Sequence, residues 1–311
     1  MTITKPMLVE DAPENIETLF DGRVWWCTEK WDGIRGIIKS AILSSRNFKP
    51  IPNRQVREIL SGILPEGSDG ELTTGNNIQD CTSGFMSRDV LLDDFYFRWF
   101  DYVKDNPKKT YLERIEDLKE ANKKVQISAH ELMDEIGVGI NIVPLIPIPI
   151  STYAEYEVFA DEIVEHGGEG VILRLGHRPY KFGRSTVREG GILRFKQWGM
   201  SEAIVLDFLE KMHNGNEATK DELGRTKRSS HQENKTGLNT LGSLWVRDVH
   251  TGEEFGLSGF KAEVAQQIWD NKADYIGKIA RYKFMKTGIK KAPRFPGFEG
   301  WRSPDDMGEP A

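Results

Sequence analysis

The sequence predicts an α+β protein in two parts, with a mixed strand-and-helix domain over residues 1–199 and a β-rich domain over residues 200–311. Its 311 residues suit two domains, because domains typically span about 100–200 residues. Strand and helix patterns are mixed irregularly up to Trp198, which favours antiparallel sheets with flanking helices over a doubly wound sheet. After Trp198, short strand patterns around one helix pattern are typical of a small barrel.

The elements of the first part follow from apolar periodicity. Alternation over 24–47 predicts two strands with a turn at Asp32-Gly33. Apolar residues at helical spacing over 53–64 predict a helix with Asn53 as its N-cap, and a turn is expected at 67–70. The remaining predicted elements are a short strand at 70–74, an aromatic strand at 95–103, a helix at 110–124, a strand then extended chain at 138–150, a helix at 152–167, and strands at 169–175 and 191–198.

The second part reads as strands interrupted by one long polar segment. Residues 211–241 are charged and lack apolar periodicity, so we expect a long loop, which compact domains rarely carry without a functional reason. Strands are expected at 203–210, 243–249 and 253–258, a short helix within 260–277, and a final strand at 278–285. This pattern suits an all-β barrel of the oligonucleotide-binding kind, the OB-fold.

Composition excludes several classes of protein. The two cysteines, Cys27 and Cys81, are too few for a four-cysteine zinc site or a disulfide framework. Neither a signal-peptide pattern nor an apolar run of about 20 residues is visible, so we expect a cytoplasmic or host-cell interior location and no membrane. The net charge is −6, yet residues 278–302 contain eight basic residues and one acid, interleaved with aromatics. Net acidity therefore does not argue against nucleic-acid binding.

One lysine stands out as a candidate nucleophile. Lys30 lies in the segment Lys-Trp-Asp-Gly-Ile-Arg at 30–35. Trp25, Trp26 and Trp31 would surround it with apolar surface and Arg35 would add a second cation, and both effects favour the neutral, nucleophilic amine. Such a lysine attacking phosphorus would form a phosphoramidate. Taken alone, a lysine beside a glycine turn is more often just solvated.

Two carboxylates and two further cations complete the candidate site. Glu71 alternates with Leu72 and should face a groove if Leu72 is buried, whereas Glu169, on one strand face with apolar residues, needs a lysine or metal partner. Arg194 and Lys196 project from one strand face and could bind an anion. Together these groups fit nucleotidyl transfer assisted by Mg²⁺. Phosphate-loop, GxSxG, HExxH and GxGxxG motifs are missing from the sequence.

These motifs resemble those of the covalent nucleotidyltransferases, and among them the ATP-dependent DNA ligases. The segments that carry the resemblance, in family order, are KWDGIR (30–35), DGEL (69–72), FRWFDYV (97–103), EGVILR (169–174), ILRFKQW (192–198) and APRFPGFEGWRSPDD (292–306). The resemblance implies an adenylyltransferase domain at 1–199 and an OB-fold domain at 200–311. It also implies a three-step reaction: Lys30 takes AMP from ATP, AMP passes to the 5′-phosphate of a DNA nick, and the 3′-hydroxyl displaces it. Mg²⁺ should be required.

The resemblance also implies roles position by position. Lys30, Arg194 and Lys196 would be catalytic, Glu71 and Glu169 would hold the metal, and Asp32 has no assigned role. ATP or AMP contacts fall on Thr28, Lys30, Arg35, Glu71, Phe100, Glu169, Arg194, Lys196, Arg294, Arg302 and Asp306. DNA contacts fall on Arg35, Arg46, Arg184, Lys227 and Arg228, the last two within a clamping loop or latch at about 211–241 that also contains Lys211, Lys220, Arg225 and Lys235.

One residue departs from the family pattern, and several alternative functions share the same motifs. Arg194 stands where the family usually has lysine, which keeps the charge but makes proton donation harder. An RNA ligase or a capping-type nucleotidyltransferase shares the lysine chemistry, although the tail at 292–306 favours DNA. A non-catalytic nucleic-acid-binding module is the alternative of a different class. We expect a monomer acting on nicked duplex DNA, and the sequence does not distinguish DNA replication, repair and recombination.

Overall fold

The computed structural model of the protein describes residues 3–74, 78–196, 198–221, 226–285 and 291–302. The chain divides into two compact units. The first unit comprises Met1–Lys196 with Lys220–Arg225, and the second comprises Gln197–Thr219 with Thr226–Ala311. Within the described ranges, no helix combines the length and apolar character that crossing a membrane requires.

The first unit mixes short strands with four α-helices in its described part. The strands are Met7–Leu8 (β1), Glu10–Asp11 (β2), Trp25–Glu29 (β3), Ile34–Lys39 (β4), Ile42–Ser44 (β5), Ser68–Thr73 (β6), Asp94–Tyr102 (β7), Gly139–Pro144 (β8), Ile148–Ile150 (β9), Gly170–Leu175 (β10), Gly183–Arg184 (β11) and Leu193–Lys196 (β12). The helices are Arg54–Ile63 (α1), Ile78–Met86 (α2), Tyr111–Ile136 (α3) and Tyr153–Glu165 (α4). The predicted α+β class is confirmed.

One five-stranded sheet carries the larger core, in the order β5-β4-β6-β7-β8. Along β7, alternate aromatic side chains at Phe95, Phe97 and Trp99 are fully buried, as the period-two pattern predicts. The helices α1, α2 and α3 pack on this core. The predicted N-cap of α1 is confirmed, because the side chain of Asn53 accepts a hydrogen bond from the backbone of Val56 at 3.0 Å.

A second five-stranded sheet has the order β2-β12-β10-β3-β9 and packs against α4. The strands predicted on either side of Asp32-Gly33 therefore exist, but β3 belongs to this sheet and β4 to the first. Residues 30–33 carry the chain from one sheet to the other. Gly33 permits a close approach to β6, because a Cβ there would lie 2.2 Å from the carbonyl oxygen of Leu72.

Two sequence expectations in the first unit are wrong. Residues 68–70 are not a turn but the start of β6, because Asp69 is fully buried and ion-paired with Arg35 instead of facing water. The helix expected at 110–124 runs to Ile136 as α3. It begins at a capping box formed by Thr110 and Glu113 and ends at Gly137, whose φ of 69° suits a left-handed C-terminal cap.

From residue 198 onward the chain is mostly strand. The elements are Trp198–Asn214 (β13), Ala218–Lys220 (β14), Thr226–Arg228 (β15), Lys235–Asp248 (β16), Glu254–Leu257 (β17), Ala262–Asp270 (α5), Ile279–Met285 (β18) and Arg294–Arg302 (β19). The main sheet has the order β17-β16-β13-β18-β19, and its ends meet at an isolated bridge between Ser258 and Gly297. The strand expected to be final, at 278–285, is followed by β19.

The long loop expected at 211–241 is instead largely strand. β13 and β16 stay paired out to Asn214 opposite Lys235, and β14 pairs with β15 beyond them. The buried side-chain amide of Asn216 donates to the carbonyl oxygens of Ser229 and His231, both at 2.9 Å. Apolar periodicity did not reveal these strands, because most side chains on both faces are exposed and the backbone supplies the pairing.

The first unit depends on a buried carboxylate at Asp101. Its oxygens accept hydrogen bonds from Arg114 at 2.7 and 3.0 Å and from Arg174 at 2.5 Å, and the three side chains are at most 3% exposed. Burial alone would raise the pKa of Asp101, but the two guanidinium groups outweigh it and hold that pKa below its ordinary value.

Replacing Asp101 by alanine should therefore destabilise the protein strongly. The change leaves two buried guanidinium groups without their counter-charge, which typically costs about 3–5 kcal/mol. Urea unfolding at neutral pH measures the loss. As a control, Glu116→Gln, which breaks the exposed pair with Lys119, should change the free energy of unfolding by less than about 0.5 kcal/mol. A similar small effect at Asp101 would contradict this account.

Candidate active site

A cavity of about 500 Å³ lies in the first unit, between its two five-stranded sheets. Many of the residues that the sequence singles out line it, namely Thr28, Lys30, Arg35, Arg46, Glu71, Phe100, Arg184 and Arg194. The cavity can hold a ligand of nucleotide size. Several cations converge on its wall, which suits an anionic ligand.

The lysine nominated as nucleophile contacts a buried glutamate. The Nζ of Lys30 donates a hydrogen bond to one carboxylate oxygen of Glu169, and the Nζ of Lys196 lies 2.7 Å from the other oxygen. The Glu169 side chain is only 4% exposed, so its carboxylate has lost its hydration. The two lysines must offset the free-energy cost of burying this charge. The sequence expectation that Glu169 needs a partner agrees with this pairing.

Strand register explains why these three residues meet. Strand β10 lies between β3 and β12, with Val171 opposite Glu29 and Gly170 opposite Lys196. Glu169 directly precedes β10, and Lys30 directly follows β3, so the two residues lie side by side. The backbone amide of Lys30 donates to the carbonyl of Gly170 at 2.8 Å. A Cβ at Gly170 would lie 2.1 Å from the carbonyl oxygen of Phe195, so the approach requires glycine.

The two acidic residues of the site have opposite pKa shifts. Burial raises the pKa of Glu169, but the charges and hydrogen bonds of Lys30 and Lys196 hold it below its ordinary value. Burial raises the pKa of Glu71 to about 7, although Lys30 and Arg35 oppose the shift. Leu72 is fully buried and Glu71 lines the cavity, as the strand alternation predicts. Glu169 is therefore ionised at neutral pH, whereas Glu71 titrates there.

Arg35 is held rigidly at the cavity wall. Its Nε and Nη2 donate to the two carboxylate oxygens of Asp69 at 2.8 and 2.6 Å, and its Nη1 donates to the carbonyl of Met7 at 2.6 Å. The Tyr180 hydroxyl donates to the same aspartate at 2.9 Å. Arg35, which the sequence suggests as a second cation near Lys30, therefore has its charge balanced by Asp69.

The Phe100 ring lies against two guanidinium groups. Arg35 and Arg174 are 5.5 and 5.6 Å from its centroid, and the second of these is tied to Asp101. Arg174 also lines the cavity, although the sequence assigns it no role. Ile172 lines the cavity too, and Arg174 follows it by two positions on β10, so strand alternation places both residues on one face.

Other site contacts also escape sequence reasoning. Arg194 donates to both carboxylate oxygens of Asp11, at 2.6 and 3.2 Å, across 183 positions of sequence. Arg184 donates to the carbonyl of Val9 at 2.8 Å. The N-terminal segment 7–11, which contains β1 and β2, thus holds cations of the site, and nothing local in its sequence indicates it.

The expected tryptophan surroundings of Lys30 are partly wrong. Trp25 is fully buried in the core of the second sheet, where its indole donates to the carbonyl of Leu19 at 2.8 Å. Trp26 packs against the core of the first sheet. Trp31 alone of the three lines the cavity, since β3 alternation sends its neighbours into the two cores.

The remaining candidate residues belong to other parts of the chain. Arg294 and Arg302 lie on β19, and Lys227 and Arg228 on β15, all in the second unit. Arg228 donates to the backbone carbonyl of Asn216 and so stabilises the hairpin. Asp306 and Arg225 lie outside the described residues.

Comparison with known proteins identifies the family. A scan against protein-family models found no match, and neither did a search of curated proteins. A solved structure of Chlorella virus DNA ligase-adenylate is 34% identical, with 97% of this chain and 99% of that chain covered and a TM-score of 0.58. Another structure of that ligase-adenylate is 35% identical, with 97% and 100% covered and a TM-score of 0.56.

A Lig E DNA ligase, only 20% identical, supports the fold, with a TM-score of 0.68 over 96% of this chain and 100% of that one. The architecture is therefore that of a nucleotidyltransferase domain followed by an OB-fold domain. The chain belongs to the family of ATP-dependent DNA ligases, which are enzymes.

Glu71→Gln should change how the stability of the AMP-free protein depends on pH. The folded state raises the pKa of Glu71 from 4.5 to about 7, so it binds more protons than the unfolded chain within that window. The contribution of Glu71 to the free energy of unfolding of the wild type therefore decreases as the pH rises from 4.5 to about 7. The variant has no carboxyl group at this position and does not show this decrease.

Urea unfolding at several pH values measures the difference. The variant should be more stable than wild type above pH 7, and the gain should shrink as the pH falls to 4.5. Glu58→Gln, on the exposed face of α1, is the control and should show no such trend. A constant difference across the whole pH range would contradict the shift.

Proposed function

We propose that this protein seals nicks in duplex DNA, joining a 3′-hydroxyl to a 5′-phosphate at the expense of ATP. The observation that carries the proposal is the ion-paired lysine at the cavity wall, where Lys30 and Lys196 share the buried carboxylate of Glu169. The first unit would be the adenylyltransferase domain and the second the OB-fold domain.

In the first step, the neutral amine of Lys30 attacks the α-phosphorus of ATP. The ion-paired ammonium of Lys30 first loses one proton to solvent to give this amine. A nitrogen–phosphorus bond then forms, the bond from that phosphorus to the bridging oxygen breaks, pyrophosphate leaves, and the nitrogen loses a second proton to solvent. Glu169 would hold the lysine oriented until ATP arrives. Lys196, sharing the same carboxylate, weakens the hold of Glu169 on the lysine and supplies positive charge for the phosphate.

In the second step, an oxygen of the DNA 5′-phosphate attacks the phosphorus of lysyl-AMP, and the lysine leaves with a proton restored. In the third, the 3′-hydroxyl attacks the 5′-phosphorus, AMP leaves, and the strand is continuous. Arg46, Arg184 and Arg194 line the cavity and are suited to the nick phosphate. Arg35, which also lines the cavity, would contact the ribose or this phosphate.

The nucleoside part of ATP would occupy the apolar wall. Phe100 presents a ring for stacking on adenine, and Thr28, buried at the cavity wall, would hydrogen-bond the base. Glu71, with its raised pKa, can donate or accept at the ribose hydroxyls near neutral pH. Arg294, Arg302 and Asp306 would orient the pyrophosphate during lysine adenylation.

The residues present fit a magnesium ion bound mainly through phosphate. Among the residues that the structure describes, no three acidic, histidine or cysteine side chains form a metal-binding group. Mg²⁺ commonly keeps several waters and takes one or two carboxylates with substrate phosphates, so Glu71 and Glu169 would hold it. The ion would supply neutralising charge at the phosphates of ATP.

We further propose that the hairpin around β14 and β15 grips duplex DNA and that the protein acts as a monomer. Lys211, Lys220, Lys227 and Arg228 are exposed along the hairpin, and backbone pairing with the Asn216 contacts gives it a defined shape. Exposed cations on a defined strand ribbon are suited to phosphate contacts. Sedimentation giving a dimer with and without nicked DNA would contradict the monomer.

Sealing of a labelled nicked duplex with a 5′-phosphate tests the function directly. Wild-type protein with ATP and Mg²⁺ should join the strands, and Lys30→Ala should give no product from ATP because no other amine replaces the nucleophile. Lys124→Ala, an exposed lysine on α3, should behave as wild type.

An all-RNA nick and GTP in place of ATP serve as the substrate controls. Sealing of RNA in preference to DNA would indicate an RNA ligase. Transfer from GTP would indicate a capping-type enzyme. DNA binding without sealing under any condition would leave the non-catalytic module as the explanation.

Excision of the hairpin should separate DNA binding from lysine adenylation. The backbone amide of Gly215 donates to the carbonyl of Asn234 at 2.8 Å, so residues 216–233 can be replaced by a two-glycine turn. We expect affinity for nicked DNA to fall at least about ten-fold, with a shallower salt dependence, because phosphate contacts are lost. Lysyl-AMP formation should stay within two-fold. Equal loss of both activities would contradict the clamp.

A further inference from the structure

A tryptophan next to the nucleophile is covered by an arginine from the first sheet. The guanidinium carbon of Arg98 lies 3.2 Å from the centroid of the Trp31 ring, and 5.1 Å from that of Tyr96. Trp31 follows Lys30 directly and lines the cavity. A cation stacked this closely on an indole is an attractive contact that restricts both side chains.

Arg98 is itself held in place. It lies on β7 opposite Glu71 of β6, and its Nε donates to the Thr73 hydroxyl at 3.1 Å. The negative charge of Glu29, at the end of β3, attracts the Arg98 guanidinium. The guanidinium is therefore anchored to the first sheet while it stacks on a residue of the crossing segment 30–33.

The stack connects directly to the nucleophilic atom. Besides Glu169, the Nζ of Lys30 donates to the backbone carbonyl of Trp31 at 3.3 Å. Whatever fixes the Trp31 backbone therefore also fixes one of the acceptors of the ammonium group. Gly33, at the C-terminal end of the segment, packs against β6, so the stack and the glycine secure the segment at two points.

We propose that Arg98 is a positioning residue for Lys30, acting through Trp31. It touches neither the nucleophile nor, on this proposal, ATP. It holds the Trp31 ring in place, so the Trp31 carbonyl that accepts from Lys30 keeps the lysine amine oriented toward the α-phosphorus. The inference rests on the proposed function of Lys30 as nucleophile and adds a residue to that site.

Arg98→Met tests the proposal, because it keeps an apolar stem over the ring and removes the guanidinium. The kcat of lysyl-AMP formation should fall about ten-fold or more, since a small misplacement of a reacting atom is costly, with KM for ATP changed less than two-fold. Sealing of a nick that already carries AMP, which does not use the lysine as nucleophile, should stay within two-fold. Lys272→Met is the matched control, because it removes a cation 3.2 Å from the ring of Trp269 in the second unit.

Variants at Trp31 separate stacking from hydrogen bonding. The indole nitrogen of Trp31 is buried and has no hydrogen-bond partner among the described residues. Trp31→Phe, which keeps a ring, should stay within about three-fold of wild type, and Trp31→Ala should match Arg98→Met. The double variant Arg98→Met/Trp31→Ala should be no slower than the slower single variant.

Several outcomes would overturn the proposal. These are unchanged lysyl-AMP formation in Arg98→Met, an equal loss in lysyl-AMP formation and in sealing of the AMP-carrying nick, or independent effects in the double variant. If circular dichroism shows that Arg98→Met does not fold, Arg98→Lys, Trp31→Phe and Trp31→Ala test the proposal instead. Normal rates of lysyl-AMP formation in Trp31→Ala would then overturn the proposal. Failure of the proposed function is distinct, because wild-type protein would then form no lysyl-AMP.

Discussion

The site depends on one buried carboxylate shared by two lysines. A charge as buried as Glu169 is stable only with partners, and Lys30 and Lys196 contact its two oxygens. They reach it because β10 lies between β3 and β12 in one sheet, with glycine at the closest approach. The same pairing orients the nucleophile and places a second cation beside it, so a structural requirement and a chemical one are met by one contact.

The segment that carries the nucleophile joins the two sheets of the first unit. Residues 30–33 leave β3 in one sheet and enter β4 in the other, so the cavity forms where the sheets face each other. The first sheet supplies Glu71 and Phe100 to the cavity wall, and the second supplies Thr28 and Arg194. Buried ion pairs with Asp69 and Asp101 secure Arg35 and Arg174, which form part of that wall. The rigidity of the site therefore comes from charges removed from water.

Sequence reasoning located most of the elements, because alternation at β7 or helical spacing at α1 depends on near neighbours. It also named Lys30, Arg35, Glu71 and Arg194 among the residues that line the cavity, and the resemblance added Thr28, Arg46, Phe100 and Arg184. It failed where long-range contacts decide the structure. Asp69-Gly70 has the composition of a turn, yet Arg35 draws the aspartate into a buried strand. The polar segment 211–241 has no apolar face, yet backbone pairing extends β13 and β16 through it. Asp11 contacts Arg194, which is distant in the sequence. Arg98 contacts Trp31, which lies outside the sheet that carries Arg98.

The most direct test is to locate the covalent adduct. Wild-type protein, first freed of any AMP with pyrophosphate, is incubated with ATP and Mg²⁺ and analysed by intact-mass spectrometry and peptide mapping. The account predicts a gain of one AMP, confined to the peptide that contains Lys30 and lost in Lys30→Ala. An AMP that maps to another residue, an adduct that persists in Lys30→Ala, or the absence of any adduct from folded wild-type protein would contradict it.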